Sequence, residues 1–340
     1  MLNVGIIGAS GYAGEELIDI LLGHPQVRIT ELSAKIEEPC LISEMFPKFK
    51  GRLDLVCNQP YLKRTIKNCD LVFLALPHTV SMEMVPYLLK AGKRVIDLSA
   101  DYRLKEIKTY EKFYQTKHSD KKNLWYSVYG LPELNRAKIK GAKLIANPGC
   151  YPTCAILALA PLVALGLVDC DSIIIDAKSG VSGAGRKLSE GLMFVEANED
   201  FRAYKVNIHQ HMPEINQELS GLHGKPVKVT FVPHLLPLNR GILETIYVKK
   251  SAKNKKTGTD FGAVFKKFYH KEPFVRIRGQ GDLPRIKDVA GTNFCDIAIQ
   301  DSGDSLIIIA VIDNLIKGAS GQAVQNMNIM CKFPEAMGLL

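Results

Sequence analysis

Val4-Gly-Ile-Ile-Gly8-Ala-Ser-Gly11-Tyr-Ala-Gly14-Glu-Glu-Leu-Ile-Asp-Ile-Leu-Leu22 decides the fold. Val4 to Ile7 reads as a short buried strand, and Glu15 to Leu22 has helical spacing, stopped by Gly23 and Pro25. The turn between them is built from glycines. Gly8 permits the tight turn, Gly11 lets backbone approach a pyrophosphate, and Gly14 allows close helix packing, while the helix N-terminus presents oriented N–H groups to anionic oxygens. The spacing is GxxGxxG, where GxGxxG is commoner, and its place between strand and helix points to a dinucleotide held by Gly8, Ser10, Gly11, Tyr12, Ala13 and Gly14.

Outward from this turn, Val27 to Leu32 predicts a second strand, Asp70 to Leu76 and Arg94 to Leu98 two more, and Val80 to Lys90 an apolar-faced helix. Strands alternating with helices predict an α/β domain with a doubly wound parallel sheet over residues 1–147. Residues 36–68 and 104–130 have no clear period and read as insertions or irregular crossovers. The second strand closes as Glu31-Leu-Ser33-Ala-Lys35. Ser33 and Lys35 favour the 2′-phosphate of NADP; Glu31 keeps NAD open.

After Asn147 the character changes. Strands at Ser172–Ala177, Val227–Val232, Ile242–Lys249, Phe294–Gln300 and Ser305–Ile312, separated by long loops, predict an α+β second domain over 148–314. Phe294, Asp296 and Ala298 alternate with Cys295, Ile297 and Ile299, which suits a sheet with one wet face. The terminal segment 315–340 carries Ala319, Ala323, Met327 and Met330 at helical spacing and is expected to pack back on the first domain.

The chain has 340 residues, 46% hydrophobic and 23% charged, the composition of a protein that folds around a core, and its length favours two domains. The longest apolar stretch, Cys154 to Val168, is fifteen residues with Pro161 inside it, short of the roughly 20 that cross a bilayer. No membrane association is expected, and with a start that reads as a poor signal peptide the protein is expected in the cytoplasm. The eight cysteines form no CxxC pair, so neither a zinc ribbon nor a disulfide framework is suggested. The net charge of +9 includes a cluster at Lys249, Lys250, Lys253, Lys255 and Lys256, read as a solvated loop. No stacking signature accompanies it, so nucleic acid is not favoured; an anionic small molecule suits the charge as well.

Asn147-Pro-Gly-Cys150-Tyr-Pro152-Thr153 follows a strand, Lys143–Ala146, and precedes an apolar helix from about Pro152. Cys150 then lies just outside the positive end of a helix, where a thiolate is favoured and nucleophilic. His209-Gln-His211-Met-Pro-Glu214 offers a proton acceptor for that thiol. A metal pair is the other reading of two histidines at i and i+2, but no third ligand is sensibly spaced, and no metal is expected. His211 lies at the mouth of a helix opened by Pro213, whereas His209 sits in extended chain, so His211 is the expected base. Arg103, Arg186 and Arg240 are candidates for a substrate carboxylate or phosphate, since guanidinium meets such oxygens bidentately.

GASGYAGEEL, LALPH, DLSADYR, YGLPE, NPGCYPT, KSGVSGAGR, HQHMPEI, PHLLPLNRGIL and DNLIKGASGQAVQNMN, in this order from Gly8 to Asn328, resemble the N-acetyl-gamma-glutamyl-phosphate reductase family of arginine biosynthesis. The resemblance implies a Rossmann-type domain and a catalytic domain related to those of glyceraldehyde-3-phosphate and aspartate-semialdehyde dehydrogenases. It implies NADPH-dependent reduction of N-acetyl-gamma-glutamyl phosphate to N-acetyl-L-glutamate 5-semialdehyde with release of phosphate, with Cys150 as nucleophile and the base in the HQH segment. The family's usual HRH reads HQH here, with Gln210 in place of arginine, which touches a local ion pair more than the base. Pro77, Ser182, Gly183 and Asn314 are implied on the cofactor, Asn147 and His209 on the substrate, and a homodimer or homotetramer as the assembly. Two other readings are a related reductase acting on aspartyl phosphate or carrier-bound aminoadipyl phosphate, and a dinucleotide-binding redox sensor in which Cys150 is oxidised without turnover.

Overall fold

The apolar run at the chain start forms β1 (Leu2–Ile7), followed by α1 (Tyr12–Leu22) and β2 (Val27–Ser33). The computed structural model describes residues 1–254 and 258–340, so Lys255 and Lys256 of the basic cluster lie outside the described residues. The aperiodic stretch 36–68 holds a two-residue strand β3 (Cys40–Leu41), one turn of helix α2 (Ile42–Met45), β4 (Val56–Asn58) and α3 (Leu62–Asn68). Then come β5 (Leu71–Leu74), α4 (Ser81–Lys90) and β6 (Arg94–Asp97). The second aperiodic stretch holds α5 (Ile107–Tyr114), α6 (Lys121–Tyr126) and β7 (Val128–Tyr129), and α7 (Pro132–Ile139) and β8 (Leu144–Ala146) complete the series.

These strands form one sheet in the order β3-β4-β2-β1-β5-β6-β8-β7, parallel except for the β3–β4 pair. From β1 the chain moves first to β2 on one side and later to β5 on the other, so the topological switch point lies between β1 and β5. One face buries Ile6, Leu17, Phe73 and Ile96; the other buries Ile7, Leu74, Leu88 and Tyr102. Helices on both faces explain why the strands read as continuous apolar runs.

Gly149–Gly318 is a second compact unit, and Met1–Pro148 with Ala319–Leu340 is the first. The second unit opens on α8 (Cys150–Ala164), with thirteen of its fifteen residues buried, an apolar helix with no wet face. It continues through β9 (Ile174–Gly180), α9 (Phe194–Ala197), β10 (Arg202–Ala203), α10 (Met212–His223), β11 (Thr230–Leu236) and β12 (Ile242–Lys249). The last part is α11 (Phe261–Phe268), β13 (Val275–Ile277), α12 (Ile286–Val289), β14 (Cys295–Ser302) and β15 (Ser305–Ile312). The sheet runs β10-β11-β9-β12-β15-β14-β13 and is mixed, with β9–β11 and β13–β14 parallel. α8 packs on it with α10 alongside. The chain ends with α13 (Gly321–Met330), all ten residues buried in the first unit, where Gln322 and Asn326 donate to the Gly130 carbonyl.

Two features differ from the sequence expectation. Asp296 is not on a wet face: it is fully buried under Arg276, which it binds through both carboxylate oxygens, with Arg278 at 3.6 Å. Lys250 is not solvated but buried, with Asp301 at 2.7 Å. Among the described residues no helix is long and apolar enough to cross a membrane.

Candidate active site

Within the first unit, Gly8 adopts φ +100°, and a Cβ there would lie 2.2 Å from the Ala75 carbonyl oxygen. A Cβ on Gly14 would lie 2.3 Å from Gly8 O, so both glycines are required by close approach of backbone. Gly11 differs, since a Cβ there would meet only Gly8 O at 3.6 Å. Gly11 is the N-cap of α1 and no side chain caps that helix. The uncapped N-terminus at the switch point therefore fits a phosphate-bearing cofactor, with Ser10, Tyr12 and Ala13 on the same turn. Exposed Pro77 follows β5 on the neighbouring loop. Asp101 shapes that loop: its carboxylate accepts from the N–H groups of Thr79 (2.7 Å) and Met82 (3.2 Å) and from the Tyr110 hydroxyl. Thr79 is held at φ +75°. Asp97, fully buried beside Asp101, has its carboxyl pushed up by burial and by that neighbouring charge.

At the end of β2, Ser33 carbonyl oxygen accepts from Gly8 and Ala9 N–H, which ties the strand end to the glycine turn. The Ser33 hydroxyl is buried without a hydrogen-bond partner. Glu31, the acid that kept NAD open, is buried and paired with Arg64 at 2.8 Å. Lys35 is exposed just beyond. An orphaned hydroxyl and a lysine, with the nearest acid already paired, form a donor set suited to a phosphate on the adenosine ribose.

Arg103 and Asn147 brace the carboxyl ends of the strands in this unit. Arg103 is 4% exposed, its Nε donating to Asn147 O and an Nη to Leu98 O, each at 2.7 Å. Asn147 is fully buried, its amide donating to Ala319 O and accepting from Asn326. The Asn147 side chain is thus engaged inside the protein, a different occupation from the expected substrate contact.

Within the second unit, α8 begins at Cys150 itself, two residues earlier than Pro152 suggested. Proline is tolerated in the first helical turn because its missing N–H would have no intrahelical acceptor there. Cys150 is therefore the first helical residue, and Thr153 N–H closes the first turn on Gly149 O at 2.9 Å. Two non-local groups hold this turn. The Gly149 N–H donates to Glu214 Oε1 at 2.8 Å, and Glu214 is 1% exposed in the first turn of α10. Gly318 packs directly on Cys150: a Cβ there would lie 2.7 Å from Cys150 Cβ. Neither role was legible in the sequence; each depends on a contact more than 60 positions away along the chain.

Tyr151, the next residue of the helix after Cys150, has its ring 5.5 Å from His209 and 6.0 Å from His211. His209 is 4% exposed and packed by Tyr151, Tyr204 and Phe231. Its Nδ1 accepts from His211 N–H at 3.1 Å, which assigns the proton of the neutral ring to Nε2, 3.4 Å from the Tyr204 hydroxyl. Tyr204 donates to Tyr151, and Tyr151 to the His234 carbonyl. Burial raises both phenols, Tyr204 to about 12, so this chain of hydroxyls stays protonated at neutral pH. His211 occupies the N-cap of α10, its ring 4.9 Å from that of His209.

The other residues of this unit fall in two places. Asn314 receives the Gly241 N–H (2.6 Å) and donates to the Ser182 hydroxyl (3.0 Å), with Gly183 beside them. Arg240 is held by buried Asp313 through Nε (2.7 Å) and Nη (3.1 Å). Arg186 lies on the exposed segment after β9.

Comparison with known proteins decides the family. Residues 3–142 match the family described as semialdehyde dehydrogenase, NAD binding domain, and 150–314 the semialdehyde dehydrogenase dimerisation domain. Proteins called N-acetyl-gamma-glutamyl-phosphate reductase from Citrifermentans bemidjiense and Pelotomaculum thermopropionicum are 50% and 49% identical to it. The first aligns over 100% of this chain and 98% of its own, the second over 99% and 97%. The chain belongs to the N-acetyl-gamma-glutamyl-phosphate reductase family. Solved structures carry the fold further. Aspartate semialdehyde dehydrogenase II from Vibrio cholerae, complexed with ASA, superposes with TM-score 0.73 at 16% identity over 98% of both chains. The Candida albicans aspartate semialdehyde dehydrogenase with NADP gives 0.70 at 16% identity, over 97% of this chain and 98% of its own. Membership of the reductase family agrees with a cysteine at a helix start, two histidines packed against the adjacent Tyr151 and a glycine turn at the switch point.

Proposed function

We propose that this protein reduces N-acetyl-gamma-glutamyl phosphate to N-acetyl-L-glutamate 5-semialdehyde with release of phosphate, using NADPH and a thioester on Cys150. The observation that carries the reading is the turn at Cys150, a cysteine opening a long buried helix and clamped by Glu214 and Gly318. The dipole of α8 favours the thiolate, and His211 takes the thiol proton. Cys150 attacks the acyl carbon, the C–O bond to phosphate breaks, and the acyl group remains as a thioester. The N–H groups at the start of α8, where the helix dipole is positive, are the donors for the oxygen on which charge develops. When bound, reduced nicotinamide supplies the hydride that takes the thioester to the aldehyde level. The oxyanion so formed re-forms the carbonyl as the carbon–sulfur bond breaks, and His211 returns its proton to the departing Cys150 sulfur, which restores the thiol. Tyr151, Tyr204 and His209 fix the ring beside them, and Gln210 interrupts none of these contacts.

Gly8 to Gly14 and Pro77 hold the cofactor in the first unit, while Ser33 and Lys35 give preference for NADP over NAD. Ser182, Gly183 and Asn314 take the cofactor's reacting end, and Arg103, Arg186 and Arg240 the substrate anions, Arg240 aimed by Asp313. The chain works as a homo-oligomer in the cytoplasm. A second copy covers the outer face of the mixed sheet, where Ile174 and Tyr247 are over 40% exposed, and the segment bearing Leu188, Phe194 and Ile208, each at least 70% exposed. The test is the reverse reaction: N-acetylglutamate semialdehyde, phosphate and NADP should yield NADPH absorbance, with NAD much slower. Turnover of aspartate semialdehyde in place of the N-acetylated aldehyde would overturn the substrate assignment.

A further inference from the structure

Two cysteines that the reaction does not use stand opposite one another. β3 and β4 pair antiparallel with Cys40 against Cys57 and Leu41 against Val56. Ile42 N–H donates to Leu55 O at 3.0 Å, so the same register continues and the Cys40–Cys57 pair is of the hydrogen-bonded kind. Such pairs have Cα atoms about 5.5 Å apart, inside the ~4.4–6.8 Å range of disulfides. Directly opposed residues also project from the same face of the sheet. Among the eight cysteines this is the one pair that shares a strand register.

The two thiols differ in access. Cys40 is half-buried on a two-residue edge strand, and Cys57 is fully buried. Burial pushes the Cys57 thiol up to about 11, so Cys40 meets an oxidant first. The pair also adjoins the end of β2, because Cys57 is in register with Leu32 and Asn58 with Ser33. Ala34 N–H donates to Asn58 O at 3.0 Å, and the Gln59 amide donates to Ile36 O. β4 is thus the side wall of the segment Ser33–Ile36.

We propose that Cys40 and Cys57 form a redox-active dithiol, a modification site that a small-molecule disulfide converts into a cross-strand disulfide, weakening NADPH binding at the adjoining end of β2. The cofactor part rests on the function proposed above. Cys40 thiolate attacks the small disulfide, giving a mixed disulfide and one thiol; Cys57 then displaces the second thiol from Cys40. The protein loses two protons and two electrons, and the small disulfide takes them up to become two thiols. Closing the bond draws β3 onto β4 and shifts the wall that positions Ser33 and Lys35.

The test uses the full chain carrying Cys150→Ser, so that the nucleophile takes no part, incubated with oxidised glutathione. A linked Cys40–Cys57 peptide is expected, with an about tenfold rise in the NADPH dissociation constant, or ~1.4 kcal/mol. Dithiothreitol should reverse both, and Cys40→Ser in the same background should show neither. Glutathione left on Cys40, or no linked peptide, would overturn the dithiol. A linked peptide with unchanged NADPH affinity would overturn its coupling to the cofactor. Reduced protein that binds no NADPH would strike the proposed function, while the peptide map would still decide the dithiol.

Discussion

Gly318→Ala should cripple the enzyme although it replaces no reacting group. The added Cβ would sit 2.7 Å from Cys150 Cβ, 3.1 Å from Cys150 Cα and 3.4 Å from Asp313 O. Carbon atoms rest at about 3.5–4.0 Å, so one side must move by about 1 Å. Neither yields easily: Cys150 begins α8, and Gly318 N–H donates to Asp313 O at 2.9 Å. Overpacking of this kind costs ~1–3 kcal/mol of stability. Displacing a nucleophile by about 1 Å costs on the order of 10²-fold in rate. The assays are turnover, melting temperature, and the rate of Cys150 alkylation by iodoacetamide, which reads the thiolate without the cofactor. The expected variant is folded, binds NADPH normally, turns over about 10²-fold slower and alkylates Cys150 at an altered rate. Wild-type turnover in a folded Gly318→Ala protein would refute the clamp.

Three further predictions concern other parts of the molecule. His211→Asn should lower turnover by about 10²–10⁴ and abolish the histidine limb of the pH profile with cofactor still bound, whereas His209→Asn should keep the limb and lose mainly stability; the reverse pattern exchanges their roles. Lys35→Asp should raise the Michaelis constant for NADPH more than for NADH, and equal effects would remove Lys35 from the site. Burial raises the Glu244 carboxyl well above its ordinary value beside Cys154, so this group favours the fold only at low pH and costs stability as pH rises above the unfolded carboxyl value. Glu244→Gln should therefore match wild type near pH 4 and become more stable toward pH 8, gaining at most ~1.4 kcal/mol per pH unit in urea denaturation; a flat difference would show that Glu244 ionises freely.

Local signals carried the strand-turn-helix at Gly8, the parallel alternation after it and the placing of Cys150 at a helix start, because each depends on residues within one turn or strand. What stayed hidden depended on partners far along the chain. Pro152 looked like a helix start, yet the helix opens at Cys150, where Glu214 supplies the acceptor for Gly149 N–H. Glu214 is three residues past His211, the position of a capping acid, and that spacing was the available hint. Asp296 alternated like a wet-face residue, and only β13 alongside it supplies the arginine that buries it. Asn147 carries polar atoms that read equally as substrate ligands; burial and their internal partners could be known only from the fold.

The central claim is the thioester on Cys150. Enzyme mixed with N-acetyl-gamma-glutamyl phosphate in the absence of dinucleotide, quenched in acid and weighed intact, should carry one N-acetylglutamyl group, mapped to Cys150 and removed by hydroxylamine, with phosphate released in equal amount. The same adduct on Cys150→Ser, or full turnover with no acyl group on Cys150 at any time, would contradict the account.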